Sequence, residues 1–302
     1  MSDLAPADAE AAFRRYEAIR PRLPAAAYPA RAGHAPDLGA LADRWDGFVL
    51  DAFGVLNVGE TPIPGAVGRM ADLRARGKKL VVLTNAASYT REGVLAKYHR
   101  LGFDFTPDEV VSSRDVAVAR LDRIAPGAHW AAICAEGDSF ADIPAHLTDI
   151  HARPEALDEA DAILFLSTAR WSQDWQRRLH DALERRPRPL VVANPDLVAP
   201  REDGLSREPG LYAHDLIDRL GTEVHWFGKP FADAFEDAVA RTGLPAGRLA
   251  MVGDTLHTDV VGGRAAGLGT VLVADHGLFA GRDVAGYVAR SGIVPDVIVP
   301  TT

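Results

Sequence analysis

FVLDAFGVLNVGE, residues 48–60, is the stretch that indicates the fold most strongly. Its first part is a continuous apolar run, which is typical of a strand buried on both faces of a parallel sheet. The run ends at Asp51, and the chain then turns through Gly54. Because ligands bind at the carboxyl ends of strands in open α/β sheets, the stretch predicts a carboxylate at the edge of a binding crevice.

Outside this stretch, short apolar runs alternate with amphipathic segments along most of the chain. The runs KLVVLTN, LAMVGD and TVLVAD are typical of buried strands, while TREGVLAKYHRLG and FADAFEDAVARTG are typical of helices. Such alternation places helices on both faces of a parallel sheet. We therefore predict an α/β fold with a doubly wound, Rossmann-like core.

Four of the predicted strands end in polar side chains suited to chemistry, namely Asp51, Thr84 with Asn85, Lys229 and Asp254. The strands between about residues 129 and 193 have no such consistent ends. We therefore predict that the middle block is a cap domain inserted into the core. The predicted division is an N-terminal arm (1–44), a first part of the core (45–112), an α/β cap (113–211) and a second part of the core (212–302).

Composition narrows the class of protein. A net charge of −9 and a pI near 5.6 argue against nucleic acid and against anionic membrane surfaces as partners. No apolar run approaches the roughly 18 residues of a membrane span, and the acidic start lacks the layout of a secretory signal. Because Cys134 is the only cysteine, an intrachain disulfide is excluded. We expect a cytoplasmic globular protein.

Each polar strand end has an ordinary explanation when it is taken alone. An aspartate such as Asp51 is typical of a turn, Thr84 and Asn85 of a helix cap, and Lys229 of an exposed lysine. Their occurrence together, in order along the sheet, points instead to phosphoryl transfer. A carboxylate attacks phosphorus, while Mg²⁺, a lysine and neutral hydrogen-bond donors surround the phosphoryl group.

The residue types match that chemistry. Asp51 offers the nucleophile, and Asp254 offers a second oxygen ligand to Mg²⁺, with Asp259 to orient a ligand or a metal-bound water. Lys229 offers a point charge, and Thr84 with Asn85 offers a hydroxyl and an amide. Backbone N–H groups can complete an anion nest. For that nest we expect the residues Phe53, Gly54 and Ala86.

Four segments of the chain resemble the four motifs of the haloacid dehalogenase-like (HAD) superfamily. They are DAFGVL, VVLTNAASYTREGVLAKYHRLG, HWFGKP and MVGDTLHTDVVGGRAAGLGT. Their spacing, with VVANPD ahead of GKP, resembles the class IIA phosphatases of the p-nitrophenyl phosphatase and nucleotide-monophosphatase type, which carry a large C2-type cap. The resemblance covers about residues 45–280 and leaves out the N-terminal arm.

The resemblance implies a role for each motif residue. Asp51 matches the nucleophile that forms an aspartyl phosphate, and Lys229 matches the lysine of the third motif. Thr84 and Asn85 match the phosphate-binding motif, while Asp254 and Asp259 match the metal-binding acid and its acidic neighbour. The same resemblance implies one Mg²⁺ cofactor, held by Asp51, Asp254 and the backbone carbonyl of residue 53.

Phe53 departs from the family pattern. Family phosphatases carry an aspartate there, which protonates the leaving group and activates water. Without it, esters whose leaving group departs as a stable anion are the expected substrates, and alkyl phosphates are slow unless the cap or the substrate supplies a proton donor. On this basis, a Phe53→Asp change raises the turnover of alkyl phosphates.

Three functions are compatible with these features. The favoured one is a Mg²⁺-dependent phosphohydrolase acting on a small phosphorylated metabolite. A non-catalytic, ligand-binding relative keeps the pocket but has no turnover. A carbon–halogen hydrolase is favoured by the resemblance of DAFG to the DAYG of 2-haloacid dehalogenases, but those enzymes need no Mg²⁺, whereas this chain keeps Asp254 and Asp259.

The cap is expected to select the substrate. Glu136, Arg170 and Asn194 lie near the ends of predicted cap strands and are the candidate substrate contacts. Trp171 and Trp175 have helical spacing, which is typical of packing within the cap or of a subunit interface. The sequence therefore leaves open whether the protein forms a homodimer.

Overall fold

Two parallel sheets organise residues 8–302, the part of the chain that the computed structural model describes. With strands numbered in chain order, the larger sheet has the order β1–β16–β15–β14–β2–β5–β6, and all of its neighbouring strands are parallel. These strands are β1 (Gly33–His34), β2 (Gly47–Leu50), β5 (Lys79–Thr84), β6 (Val110–Ser112), β14 (Leu249–Gly253), β15 (Gly269–Val273) and β16 (Val297–Val299).

The smaller sheet has five parallel strands in the order β13–β10–β9–β7–β8. They are β7 (His129–Ile133), β8 (His146–Asp149), β9 (Ala162–Phe165), β10 (Leu190–Val192) and β13 (Val224–Trp226). The remaining strands form two antiparallel hairpins. One pairs β3 (Asn57–Val58) with β4 (Thr61–Pro62), and the other pairs β11 (Val198–Arg201) with β12 (Gly204–Arg207).

Helices connect the strands of both sheets, as the alternation of patterns predicts. They are α1 (Ala9–Ile19), α2 (Ala66–Ala75), α3 (Arg91–Arg100), α4 (Ser113–Val118), α5 (Leu121–Ile124), α6 (Ala156–Glu159), α7 (Gln173–Arg185), α8 (Pro209–Leu220), α9 (Ala232–Thr242), α10 (Val261–Ala265) and α11 (Val284–Ser291). A π-helical turn, Leu256–Val260, leads into α10. The predicted α/β fold with a parallel core sheet is confirmed.

Strand β2 lies between β14 and β5 in the larger sheet and is buried on both faces. Phe48 and Leu50 pack in one apolar cluster that includes Met70 of α2, whereas Val49 packs in another that includes Phe235 of α9. Burying one large apolar side chain contributes about 1.5–3 kcal/mol. This two-sided burial explains why the strand is a continuous apolar run that stops at the first residue facing the crevice.

The second sheet extends beyond the predicted limits of the cap. Strand β13 pairs with β10, although residues 212–302 were expected to belong to the core. At the other limit, α4 lies next to α9, which packs on β5 of the core sheet. The sequence pattern misplaces both boundaries because a strand's apolar run does not reveal which sheet it joins.

The N-terminal arm contains a helix that contacts both parts of the molecule. Tyr16 of α1 accepts a hydrogen bond from the backbone N–H of Leu197, which follows strand β10 of the second sheet, at 3.0 Å. On the other side, its ring stacks on His257 in the π-helical turn, with ring centroids 4.9 Å apart. Helix α1 therefore ties the two parts together. Within residues 8–302, no helix has the length and apolar character needed to cross a bilayer.

Candidate active site

The polar ends of the central strands meet at one edge of the larger sheet. Strand β2 pairs in parallel with β14 on one side and with β5 on the other, and Leu50 is in register with both Val252 and Val82. Asp51 therefore emerges between the ends of its two neighbours. Asp254 follows β14 directly, and Thr84 is the last residue of β5.

Lys229 reaches this edge from the loop after β13. Its Nζ lies 2.5 Å from Oδ1 of Asp51 and 2.8 Å from Oδ1 of Asp259. The second contact is an ion pair that lacks hydrogen-bond geometry. Because only 1% of the lysine side chain is exposed, its charge is placed between two carboxylates with little screening by solvent.

Burial and neighbouring charges perturb this cluster. Burial raises the pKa of Asp51, an effect that the adjacent Lys229 opposes. Burial, reinforced by the negative charge of Asp259, raises the pKa of Asp254 to about 6. For Lys229, burial favours the neutral amine, but Asp259 and Asp51 outweigh it and raise the pKa above the ordinary value. The lysine therefore stays an ammonium ion while the carboxylates compete for positive charge.

Three carboxylates form a compact group of oxygen donors. One oxygen each of Asp51, Asp254 and Asp259 lies within 4.8 Å of the other two. Hydrogen bonds fix the Asp254 carboxylate, which accepts from the backbone N–H of Leu278 at 2.7 Å and from the hydroxyl of Thr255 at 2.9 Å. Carboxylate oxygens are the ligands that hard divalent cations prefer.

Gly54 permits the close approach of the loop after β2 to the Asp254 carboxylate. Its φ is +78°, and a Cβ atom there would lie 2.7 Å from Cβ of Asp254. Its N–H donates to the carbonyl of Asn57 at 2.9 Å. The predicted role of Gly54 in an anion nest is therefore wrong, because that N–H is already bonded and the residue serves packing.

Asn85 is also used for positioning. Its Nδ2 donates to the backbone carbonyl of Lys229 at 3.0 Å and to Oδ1 of Asp196 at 2.9 Å, while its Oδ1 accepts from the N–H of Lys229 at 2.7 Å. The amide thus holds the lysine loop rather than standing free for phosphate. Thr84 and Ala86 both line the crevice beside it, and the Ala86 N–H, which was predicted for the same nest as Gly54, likewise has a partner, because it donates to the Thr84 hydroxyl at 3.2 Å.

Phe53 lies half-buried at the same crevice, between two cations. Lys97 Nζ is 4.8 Å from the centre of its ring, and the guanidinium carbon of Arg201 is 4.7 Å from it. Both distances are within the range of cation–π contacts. The side chain at position 53 therefore anchors the hairpin β11–β12 to the core.

The crevice has a volume of about 420 Å³ and is lined from both parts of the molecule. Of the predicted cap contacts, Glu136 lines it and is exposed, and Asn194 lines it and donates to Glu208 at 3.0 Å. Sequence reasoning missed Asp196, Arg201 and Glu208, which also line it. The motif VVANPD, which contains Asp196, was the one sequence signal that could have indicated any of these three residues.

Arg170 does not have the predicted role. Its guanidinium donates to Asp149 at 2.8 Å and to the backbone carbonyls of Cys134 and Ala135 at 3.2 Å and 3.1 Å. It therefore joins the ends of β7 and β8 within the second sheet, and is not among the residues that line the crevice. The two tryptophans after it pack against the apolar core of the same part.

Two family descriptions match the chain. Residues 48–141 match the haloacid dehalogenase-like hydrolases, and residues 226–300 match a second family described as HAD-hydrolase-like. Together they cover more than half of the chain and include Asp51, Lys229 and Asp254.

The chain belongs to the haloacid dehalogenase-like hydrolases. Among curated proteins, this HAD-like chain is similar to D-glycerol 3-phosphate phosphatase of Mycobacterium tuberculosis, with 32% identity over 236 residues. The match covers 78% of this chain and 64% of that protein, so the chain spans less than two thirds of the relative's length.

Solved structures agree with this family. A possible sugar phosphatase from Cytophaga hutchinsonii matches with a TM-score of 0.78 and 26% identity, over 89% of this chain and 98% of that one. The p-nitrophenyl phosphatase from Archaeoglobus fulgidus matches with a TM-score of 0.70 and 25% identity, over 85% of this chain and 96% of that one. A glycerol phosphate phosphatase from M. tuberculosis in complex with magnesium matches with a TM-score of 0.63 and 28% identity, over 78% of this chain and 69% of that one. The predicted resemblance to HAD phosphatases of the p-nitrophenyl phosphatase type is confirmed.

Proposed function

We propose that this HAD-like chain is a Mg²⁺-dependent phosphohydrolase that forms an aspartyl phosphate on Asp51 and acts on a small phosphorylated metabolite. The observation that carries the proposal is the buried ammonium of Lys229, which lies 2.5 Å from the Asp51 carboxylate at the floor of the crevice. A buried cation beside a nucleophilic carboxylate is suited to an incoming phosphoryl group. The names of the relatives support a small phosphate ester as substrate.

The donor set fits a hard divalent cation. Asp51 and Asp254 would hold Mg²⁺ with the backbone carbonyl of Phe53, and the grouping of their oxygens supports this assignment. When bound, the ion would neutralise charge on the phosphoryl oxygens. Asp259 contacts Lys229 and would orient the lysine rather than take the place of a principal ligand.

The residues of the core perform two displacements. In the first, a carboxylate oxygen of Asp51 attacks phosphorus, and the bond from phosphorus to the leaving-group oxygen breaks. Lys229 and the hydroxyl of Thr84 stabilise the charge on the phosphoryl oxygens. In the second, water attacks phosphorus, the bond to Asp51 breaks, and inorganic phosphate leaves with the carboxylate restored.

Trapping of the covalent intermediate tests the proposal. The protein is mixed with p-nitrophenyl phosphate and Mg²⁺, quenched in acid and digested, and the peptide containing Asp51 is examined by mass spectrometry. We expect the added mass of one phosphoryl group and loss of activity by roughly 10⁴-fold or more in Asp51→Asn. Hydrolysis that survives in Asp51→Asn at the wild-type rate contradicts the proposal.

Phe53 favours one other function, a non-catalytic ligand-binding relative, because the family's proton donor is absent from that position. Such a protein would bind phosphate esters and Mg²⁺ but would give neither a phosphorylated peptide nor turnover. Activity on a 2-haloacid without added metal would instead point to the carbon–halogen hydrolase. The same preparation of protein distinguishes these outcomes.

A further inference from the structure

The proposed reaction needs a proton donor that position 53 does not provide. An alkoxide is a poor leaving group, so cleavage of an alkyl phosphate depends on protonation of the departing oxygen. Phe53 has no proton to give, and its ring is occupied by contacts with Lys97 and Arg201. The donor for such a substrate therefore has to come from another residue lining the crevice.

Among the described residues, five carboxyl groups line the crevice, namely Asp51, Glu136, Asp196, Glu208 and Asp254. The nucleophile and the metal site account for two of them. Glu208 is already used, because it accepts from Ser206 at 2.5 Å and from Asn194 at 3.0 Å, and pairs with an arginine. Glu136 is exposed, so its carboxylate is less constrained than a buried one.

Asp196 is the remaining carboxyl group, and it is held from several directions. Its Oδ1 accepts from Nδ2 of Asn85 at 2.9 Å, and its own N–H donates to Oδ1 of Asn194 at 3.0 Å. The next N–H, that of Leu197, donates to the hydroxyl of Tyr16 at 3.0 Å. A segment fixed from the core, the cap and helix α1 can hold a catalytic group in place.

Asn85 connects this carboxyl group to the phosphate subsite. The same Nδ2 that bonds Asp196 also bonds the backbone carbonyl of Lys229, whose ammonium contacts Asp51. Asp196 thus lies one side chain away from the loop that carries the phosphate-binding lysine, and it faces the same cavity as the nucleophile.

We propose that Asp196 is the general acid and base of this enzyme, in place of the residue at position 53. The inference rests on the proposed phosphohydrolase function. As Asp51 forms its bond to phosphorus, the bond to the leaving-group oxygen breaks and the Asp196 carboxyl O–H passes its proton to that oxygen, which departs as an alcohol. The Asp196 carboxylate then takes a proton from the attacking water, while the bond from phosphorus to Asp51 breaks and inorganic phosphate forms.

The charges around Asp196 agree with both roles. Burial raises the pKa of Asp196 to about 7, the positive charge of Lys229 and the bond from Asn85 lower it, and Asp259 and Glu208 raise it. Near neutral pH the group is therefore present in both protonated and ionised forms, which is the condition under which one residue works efficiently as acid and base.

Asp196→Asn is the direct test, because an asparagine oxygen still accepts the bond from Asn85 while the acid is removed. For glycerol 3-phosphate we expect kcat to fall by about 10²–10⁴-fold, and for p-nitrophenyl phosphate, whose leaving group needs no proton, the formation of the aspartyl phosphate should slow by less than about threefold. In the wild type, turnover of glycerol 3-phosphate should decline as the pH rises above about 7, because the acid form is lost, and the variant should lack this decline.

Glu136→Gln is the matched control, since it removes the other unassigned carboxyl group of the crevice. The proposal is overturned if Asp196→Asn slows the formation of the aspartyl phosphate equally from both esters, or if Glu136→Gln rather than Asp196→Asn produces the selective loss. Failure of the phosphohydrolase function itself gives a different result, because no phosphorylated Asp51 peptide would form with either ester in the wild type.

Discussion

The core wall and the cap wall of the crevice are built by different means. On the core wall, each charged group comes from a different strand end or loop, and the groups contact one another directly. Lys229 touches both Asp51 and Asp259, although these residues are far apart in the sequence. The carboxyl ends of parallel strands bring such groups together.

On the cap wall, most of the polar groups come from one segment, residues 194–208, and several of them bond within it. Glu208 accepts from Asn194 and pairs with Arg201, which in turn contacts Phe53 of the core. In the proposed function, the core wall surrounds the phosphate that every substrate would carry, while the cap wall faces the rest of the substrate. Substitutions on the core wall should therefore affect all esters alike, whereas those on the cap wall should depend on the leaving group.

The largest effect expected from the core wall concerns the metal. Asp254→Asn should weaken Mg²⁺ binding by more than about 100-fold, because a neutral amide replaces a charged oxygen ligand. Isothermal calorimetry measures this affinity, and urea unfolding in EDTA checks that the fold is retained. Asp203→Asn, which removes an exposed carboxylate from the hairpin β11–β12, is the control. Equal Mg²⁺ affinity in both variants would show that Asp254 is not a ligand.

A smaller effect, on stability alone, is expected from the cap interior. Arg170→Met removes the bonds that join Cys134, Ala135 and Asp149. We expect the free energy of unfolding to fall by about 1–2 kcal/mol, while KM for p-nitrophenyl phosphate changes by less than about threefold. Arg177→Met, at an exposed arginine of the same cap, should change stability by less than about 0.5 kcal/mol. A large rise in KM for Arg170→Met would instead support the predicted role of Arg170 as a substrate contact.

The smallest effect is expected where the two walls meet. The sequence predicts that Phe53→Asp raises the turnover of alkyl phosphates more than that of aryl phosphates. The structure changes this expectation, because Lys97 and Arg201 flank position 53 and would pair with the new carboxylate. We now expect a gain of less than about threefold over Phe53→Leu with glycerol 3-phosphate. A gain of tenfold or more would show that the new acid reaches the leaving group.

The positions of several polar residues on the core wall were predictable, because they depend on residues that are adjacent in the sequence. Asp51, Thr84 and Asp254 each follow an apolar run, and parallel pairing of those runs is sufficient to bring their ends together. The role of Asn85 was not predictable in the same way. Its side chain bonds to Lys229 and Asp196, and no pattern near residue 85 indicates either partner.

Lys229 lies beside Asp51, as the sequence predicts, although the strand before it belongs to a different sheet from the predicted one. The run VHWFGKP predicts a core strand that ends at the lysine, but strand β13 pairs with β10 in the second sheet. The lysine still reaches the core because the chain leaves that sheet at Trp226 and crosses to Asp51 within three residues. The position of a functional residue after a strand was informative, although the sheet assignment was wrong.

By itself, the sequence determined the parallel α/β core and the group of acids at the ends of its strands, among them the proposed nucleophile Asp51, because these follow from apolar periodicity and from the residues at strand ends. Only the tertiary structure decided that Arg170 is structural, that Phe53 anchors a hairpin between two cations, and that Asp196 faces the crevice. The physical reason is that a strand end is defined by neighbouring residues, whereas a side chain's partners are set by packing between segments that are distant in the chain.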